Sequence, residues 1–280
     1  MKARVSHYDL HTHSTCSDGV LSPLEVVERA ARRGVSVLAL TDHDEVSGLG
    51  AARAAASSAG IELIDGVEVS VSWSSHTIHV VGLGIDPADA RLTAGLWANR
   101  SGRNARAEKI SVELERAGVP DALNGARAYV TNPELVSRTH FARYLVATGY
   151  AKNTQAVFDT YLGAGKSGYV PHAWASLEDA VDWISAAGGL PVLAHPGRYK
   201  LNDQEQGKLL GRFKDAGGAA IEVVTGSHAP DQYAYWARRS REFGLLASAG
   251  SDFHGLPDSY RDLGDLPELP SGCKPVWHAF

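Results

Sequence analysis

The sequence is poor in cysteine, in long apolar runs and in excess positive charge, and each shortage closes off a class of protein. Only two cysteines, Cys16 and Cys273, occur among 280 residues. Two thiols cannot build the disulfide framework of a small secreted domain, so the expected compartment is reducing and cytoplasmic. No stretch approaches the ~20 apolar residues of a membrane-spanning helix. The opening MKARVSHYDLHTH turns polar before a signal-peptide core can form, so no membrane association is expected. Lys and Arg number 27 against 32 Asp and Glu, a formal net charge of −5. Broad binders of duplex DNA usually carry a basic surface, so stable double-stranded DNA binding is not expected either. A phosphate ligand stays open, because bound cations reverse the sign of a local site. What the chain does have is 44% hydrophobic residues, enough at this length to bury a core without staples, and 12 histidines.

The hydrophobic pattern predicts seven short strands, over 5–10, 35–40, 61–67, 77–85, 190–194, 219–224 and 245–249. Helices are predicted between most of them. The first has Ser22 as N-cap, Pro23 at the first helical position and Glu25 closing a capping box. Further helices are expected over 46–59, 176–187, 204–216 and 230–243. Strands alternating with helices make an α/β chain with a parallel sheet and right-handed crossovers. The middle breaks this rhythm. Residues 97–118 read as one long helix, whose Arg100, Arg103 and Arg106 are expected on a solvated face, and 132–166 as two or three shorter helices. The expected organisation is a barrel domain over 1–95 and 169–280, with a helical insert over 96–168 covering its mouth.

The polar clusters fall where strands end. His11, His13, Asp18, His43, Glu68, His79, His195, Asp252 and His254 all lie at or near such ends. In α/β sheets those ends share one face, where active sites lie. One histidine at a strand end is ordinary polar punctuation, and an HxH pair alone is weak. Nine residues at six strand ends are different, since burying them without a metal would require many compensating partners. Two histidines at i and i+2 on an extended segment project alike and reach one ion. Imidazole with carboxylate suits Zn, Mn or Fe. The donors exceed one ion's needs, so two or three ions about 3.5–4 Å apart, bridged by Glu68 or Asp252, are expected.

These residues also carry a resemblance. Asp9-Leu10-His11-Thr12-His13-Ser14, Ser17-Asp18-Gly19, Thr41-Asp42-His43-Asp44, Gly66-Val67-Glu68, Ala194-His195-Pro196 and Ser251-Asp252-Phe253-His254 run in an order that resembles the polymerase and histidinol phosphatase (PHP) family. The resemblance implies a distorted seven-stranded (β/α) barrel with two or three metals and phosphoesterase activity. Ser137-Arg138-Thr139-His140-Phe141-Ala142, Tyr161-Leu162-Gly163, Lys166, Tyr169-Val170-Pro171, His195-Pro196-Gly197-Arg198 and Gly226-Ser227-His228 are similar to its nucleoside 3′,5′-bisphosphate phosphatase and 5′→3′ exoribonuclease branch. Thr139 departs from that pattern, where proline is expected.

The resemblance implies one ion on His11, His13, Glu68 and Asp252, and a second on Glu68, His79 and His195. A third would use Asp18, His43 and His254. Mn2+ is the expected metal, with Fe2+, Zn2+ or Mg2+ as alternatives. The ions would lower the pKa of a bridging water, and the resulting hydroxide would attack phosphorus in line. Arg138, His140, Lys166, Arg198 and His228 are the expected phosphate contacts, since an Arg fork grips phosphate in two places and Lys acts as a point charge. Asp9, Asp42 and Asp44 are expected to orient ligands or carry a proton. The expected substrates are a small nucleotide with 3′ and 5′ phosphates and the 5′ end of short RNA. The nearest alternative is a histidinol-phosphate phosphatase of the same family. A non-catalytic metal-binding module is the alternative of a different class.

Overall fold

A computed structural model describes residues 7–280. Seven strands form one sheet in sequence order: β1 (Tyr8–Asp9), β2 (Val37–Leu40), β3 (Glu62–Trp73), β4 (His76–Leu83), β5 (Leu190–Leu193), β6 (Ala220–Thr225) and β7 (Leu246–Gly250). Val5 and Ser6 of the predicted first strand lie outside the described residues. The last strand returns to the first. The Leu10 N–H donates to the Ala249 carbonyl at 3.0 Å, His13 to Phe253 at 2.9 Å, and Asp252 to His11 at 2.9 Å. The result is the expected distorted seven-stranded α/β barrel.

The expected parallel sheet is corrected at β4. β4 runs antiparallel to both β3 and β5, so the sheet is not wholly parallel. β3 continues past Glu68 to Trp73, which pairs with His76 across the two-residue turn Ser74-Ser75. Ser74 adopts φ 52°, the left-handed backbone such a hairpin turn demands. Two residues leave no room for a crossover helix, so the chain must reverse.

The helices are α1 (Pro23–Arg32), α2 (Leu49–Ala59), α3 (Ala90–Ser101), α4 (Arg103–Arg116), α5 (Ala122–Arg127), α6 (Arg138–Ala147), α7 (Thr154–Val157), α8 (Leu177–Ala186), α9 (Asp203–Asp215) and α10 (Pro230–Phe243). The predicted capping box of α1 forms, with the Ser22 side chain on the Glu25 N–H and the Glu25 carboxylate on the Ser22 N–H. The single long helix expected over 97–118 is instead α3 and α4, broken at Gly102. A Cβ at Gly102 would lie 2.4 Å from the His172 ring, so the break sits where another segment crosses closely. Arg103 and Arg106 are buried rather than on a solvated face.

The chain divides into two compact units. One is the chain up to Leu96 together with Trp174–Phe280, and the other is Trp97–Ala173. The barrel unit carries two apolar clusters. Leu10, Val37, Ile64, Val81, Leu83, Val192 and Ala220 belong to a smaller one, contributed by the strands. A larger one joins strands to helices through Leu38, Val69, Ile78, Ile184, Phe213 and Trp236. The second unit has its own core of Ile110, Leu114, Phe141, Leu145 and Leu162. Among the described residues no helix is long and apolar enough to cross a membrane.

Candidate metal centre

The barrel brings all nine predicted donors together, seven from segments that follow strands and two, Glu68 and His79, from within β3 and β4. Glu68 lies in β3 opposite Val81, and its neighbour Ser70 is opposite His79 of β4. Residues facing each other, and those two apart, share one face of an antiparallel pair, so Glu68 and His79 point the same way. The Glu68 N–H donates to the Asp42 carbonyl, and the Asp44 N–H donates to Glu68, which sets His43 beside it. His11 and His13 are held extended by their pairing with the segment after β7. That segment carries Asp252 and His254. His195 follows β5 directly.

Glu68 is the hub. Its carboxylate lies 2.9 Å from His43 Nδ1, 2.9 Å from His79 Nδ1, 3.0 Å from His195 Nε2, 3.2 Å from His11 Nε2 and 3.3 Å from His13 Nε2. Asp252 Oδ1 lies 3.6 Å from His11 and 3.4 Å from His13. Asp18 Oδ1 approaches His254 Nε2 at 3.2 Å and His43 Nε2 at 3.9 Å. Four overlapping groups result: His11, His13 and Glu68; His43, Glu68 and His79; His11, His195 and Asp252; and His13, Asp18, His43 and His254. Within each, one donor atom per residue lies within 4.8 Å of the others. His11 and His13 are fully buried, while His43, His79 and His254 keep some exposure, so the cluster has a closed floor and an open side.

These donors fit divalent cations. Nε2 of His11, both ring nitrogens of His13 and Oε2 of Glu68 are buried and make no hydrogen bond. Polar atoms out of reach of water are costly unless something satisfies them. Lone pairs converging from imidazoles and carboxylates are the donor chemistry such an ion takes.

The charges are tightly coupled. Burial opposes ionisation of Glu68, but His43, His79 and His11 outweigh it and hold its carboxyl well below the usual range. Burial also opposes charge on His11, yet Glu222, Glu68 and Asp252 raise its pKa well above the ordinary value. His13 behaves alike, raised to about 9 against burial by Asp252 and Glu68. His195 goes the other way, lowered to about 3 by burial and then by Arg198. Three residues here hold left-handed backbone without being glycine: Asp44 at φ 50°, His195 at 28° and Asp252 at 55°. Such strain collects at functional sites.

The three flanking aspartates act on the loops that carry donors. Asp42 accepts the Ser14 N–H at 2.7 Å and both the Ser14 and Ser17 hydroxyls, building the turn that presents Asp18. Asp9 accepts the Ser251 and Gly264 N–H groups, fixing the loop after β7, and burial lifts its pKa to about 6. Asp44 accepts the Ser70 N–H at 2.8 Å.

The predicted phosphate contacts are placed unequally. Arg198 is half-exposed and donates to Asp252 Oδ2 at 2.8 Å, at the cluster's edge. His228 is buried, with Nδ1 on the Val223 carbonyl at 3.1 Å and Nε2 accepting the Gly197 N–H at 2.9 Å, so both ring nitrogens are committed to backbone. In the second unit, His140 Nδ1 accepts the Ser137 N–H and caps α6. Arg138 donates to the Leu162 carbonyl at 3.4 Å and lies over the Phe158 ring, and Lys166 sits in the turn after Gly163.

Sequence reasoning missed two residues. Tyr199 accepts the His79 N–H and donates to the Ala194 carbonyl, both at 2.9 Å, with its ring edge-on to His195. Glu222, inside β6, is the second, and its signal is one acid in the otherwise apolar run AIEVV.

The PHP domain pattern matches residues 9–187. A Chromobacterium violaceum protein named 3′,5′-nucleoside bisphosphate phosphatase is 51% identical over 98% of this chain and 96% of its own. A Haemophilus influenzae protein named 5′-3′ exoribonuclease is 45% identical over 98% of each chain. A solved structure of a Chromobacterium violaceum protein described as an amidohydrolase, with sulfate bound and no metal, superposes with a TM-score of 0.95 at 50% identity. It covers 98% of this chain and 95% of that one.

Proposed function

The chain belongs to the PHP domain family, and from that premise we propose that it is a divalent-metal-dependent phosphoesterase that removes the 3′-phosphate of nucleoside 3′,5′-bisphosphates and trims short 5′-phosphorylated RNA from its 5′ end. The observation that carries the reading is the convergence of nine donors into four overlapping groups, with Glu68 in two of them. The names of the two similar proteins support the choice of substrate.

His11, His13, Glu68 and Asp252 would hold one ion, and Glu68, His79 and His195 a second. Asp18, His43 and His254 would hold a third, more labile one, with Mn2+ the metal to supply. Such ions, when bound, lower the pKa of water and take up negative charge on a phosphoryl group. The protein's own part is positioning. Glu68 serves two groups at once and so sets their spacing. Arg198, half-exposed beside Asp252, offers its guanidinium to the phosphoryl oxygens of the reacting phosphate. Arg138 and Lys166 are proposed to take the second phosphate, which is what would separate a bisphosphate from a monophosphate. Asp42 and Asp9 hold the donor loops still, and His140 and His228 hold the segments bearing Arg138 and Arg198. Both substrates present a phosphate at a fixed distance from a scissile ester, so one site serves both. The two lone thiols fit a reducing, cytoplasmic location.

Chelator-stripped protein resupplied with Mn2+ should release phosphate from adenosine 3′,5′-bisphosphate and shorten a 5′-phosphorylated oligoribonucleotide, and should do neither without metal. Arg138→Ala should raise KM for the bisphosphate more than for adenosine 3′-monophosphate. Inactivity of the Mn2+-loaded protein on both substrates overturns the substrate assignment.

A further inference from the structure

Glu222 takes no part in the ligand groups, yet it is 1% exposed in the middle of β6. A carboxylate so placed must be answered on both oxygens, or it costs more than it contributes. It is answered, and by the site itself. Oε1 lies 2.7 Å from His11 Nδ1, and Oε2 accepts the His195 backbone N–H at 2.6 Å. One side chain therefore ties the donor that follows β1 to the donor that follows β5.

We propose that Glu222 is a positioning residue of the metal centre, whose two oxygens aim the His11 imidazole and hold the strained turn at His195, so that both donors meet Glu68. This rests on the metal-centre reading above. Two pieces of geometry support it. His11 offers Nδ1 to Glu222, which leaves Nε2 as the atom facing Glu68 and Asp252, 3.2 and 3.6 Å away. His195 holds φ 28°, an unfavourable backbone for a side-chain residue, and its N–H is the group that Glu222 captures. A carboxylate that fixes a ligating imidazole commonly sets metal affinity by 10–100-fold.

The chemistry also says why the residue is an acid. His11 Nδ1–H and the His195 N–H are both donors, so the bridge needs two acceptors. A glutamine side chain has the same shape but one acceptor. With its oxygen toward His11, its NH2 confronts the His195 amide, and with its oxygen toward His195 its NH2 faces Nδ1, which can accept only if the ring proton moves to Nε2, the atom that faces Glu68. Glu222→Gln therefore loses one contact or puts the proton on the ligating nitrogen, and Glu222→Leu loses both contacts.

The test uses the full chain as wild type, Glu222→Gln and Glu222→Leu, all chelator-stripped. Manganese titration by calorimetry should show affinity at least 10-fold weaker in Glu222→Gln than in wild type, and weaker still or incomplete loading in Glu222→Leu. Without metal, proton NMR of histidine-labelled wild type should show a downfield, slowly exchanging His11 Nδ1–H and a protected His195 amide. At least one should be lost in Glu222→Gln and both in Glu222→Leu. Wild-type affinity and stoichiometry in Glu222→Leu overturns the proposal, as does wild-type protein lacking both proton signals, a result that needs no variant to fold. Wild-type protein that takes up no manganese overturns instead the metal-centre reading on which the proposal rests.

Discussion

At the scale of single residues, the environment decides which histidine can do what. Burial pushes the His228 imidazole down to about 4, with Arg198 lowering it further and the Val223 carbonyl pulling the other way. As a neutral ring it donates through Nδ1 and accepts through Nε2, and protonation would set a donor against the Gly197 N–H. The folded pKa lies below the ordinary 6.5, so the stabilisation is fully present above pH 6.5 and drains away as pH falls toward 4. Wild type should lose about 2 kcal/mol on going from pH 7 to pH 5 that His228→Asn does not lose. Urea denaturation of both proteins at the two pH values would show their stability gap narrowing. A gap unchanged by pH would refute the neutral ring. The donor set was legible in the sequence because histidine and acid recur within or just after so many of the apolar strands. Commitment of both His228 nitrogens to backbone was not, since Val223 and Gly197 are brought to it only by the tertiary fold.

At the scale of elements, close approach explains what pattern alone could not. β7 lies so near the segment after β1 that a Cβ on Gly250 would fall 2.3 Å from His11 Cβ and 2.7 Å from its backbone nitrogen. Backbone cannot yield as a flexible side-chain tip does, so Gly250→Ala must displace His11. The expected result is a folded but destabilised protein, by roughly 1–3 kcal/mol as in other overpacked cores, with reduced manganese content by elemental analysis. Manganese content and melting temperature both equal to wild type would show that β1 tolerates the shift. Helices were read well where the local chemistry was explicit, as with Ser22, Pro23 and Glu25 of α1. The β3–β4 reversal was not, because Ser74-Ser75 carries no Asn-Gly or Asp-Gly signal and Ser74 takes its left-handed φ regardless. The same gap hid the break at Gly102, whose neighbour His172 is 70 residues away in sequence.

At the scale of the whole molecule, the donors come from β3 and β4 and from the segments following β1, β2, β5 and β7. An ion bound there binds the native chain and not the unfolded one, so it stabilises by mass action, about 2.7 kcal/mol at 100-fold excess over Kd. Manganese should therefore raise the melting temperature of chelator-stripped protein, by several degrees for a barrel of this size. Hydrogen exchange should slow at the strand ends more than in the Ile110–Leu114–Phe141 core of the second unit. A melting temperature indifferent to saturating manganese would mean that the ion does not link these strands. The barrel's strand count and the insert's helical character were read from the alternation of apolar runs. The direction of β4 and the two partners of Glu222, His11 and the His195 N–H, depend on pairings that no local window contains.

The hydrogen bonds that join Leu10 to Ala249 and His11 to Asp252 have a consequence for synthesis. The earliest strand made waits for the latest. Until the ribosome has delivered residues 246–254, the N-terminal edge has no mate and two of the donors do not yet exist. A nascent chain of this protein can thus form the self-contained core of its middle segment during translation, while the centre itself assembles only at the end, when the ring of strands shuts.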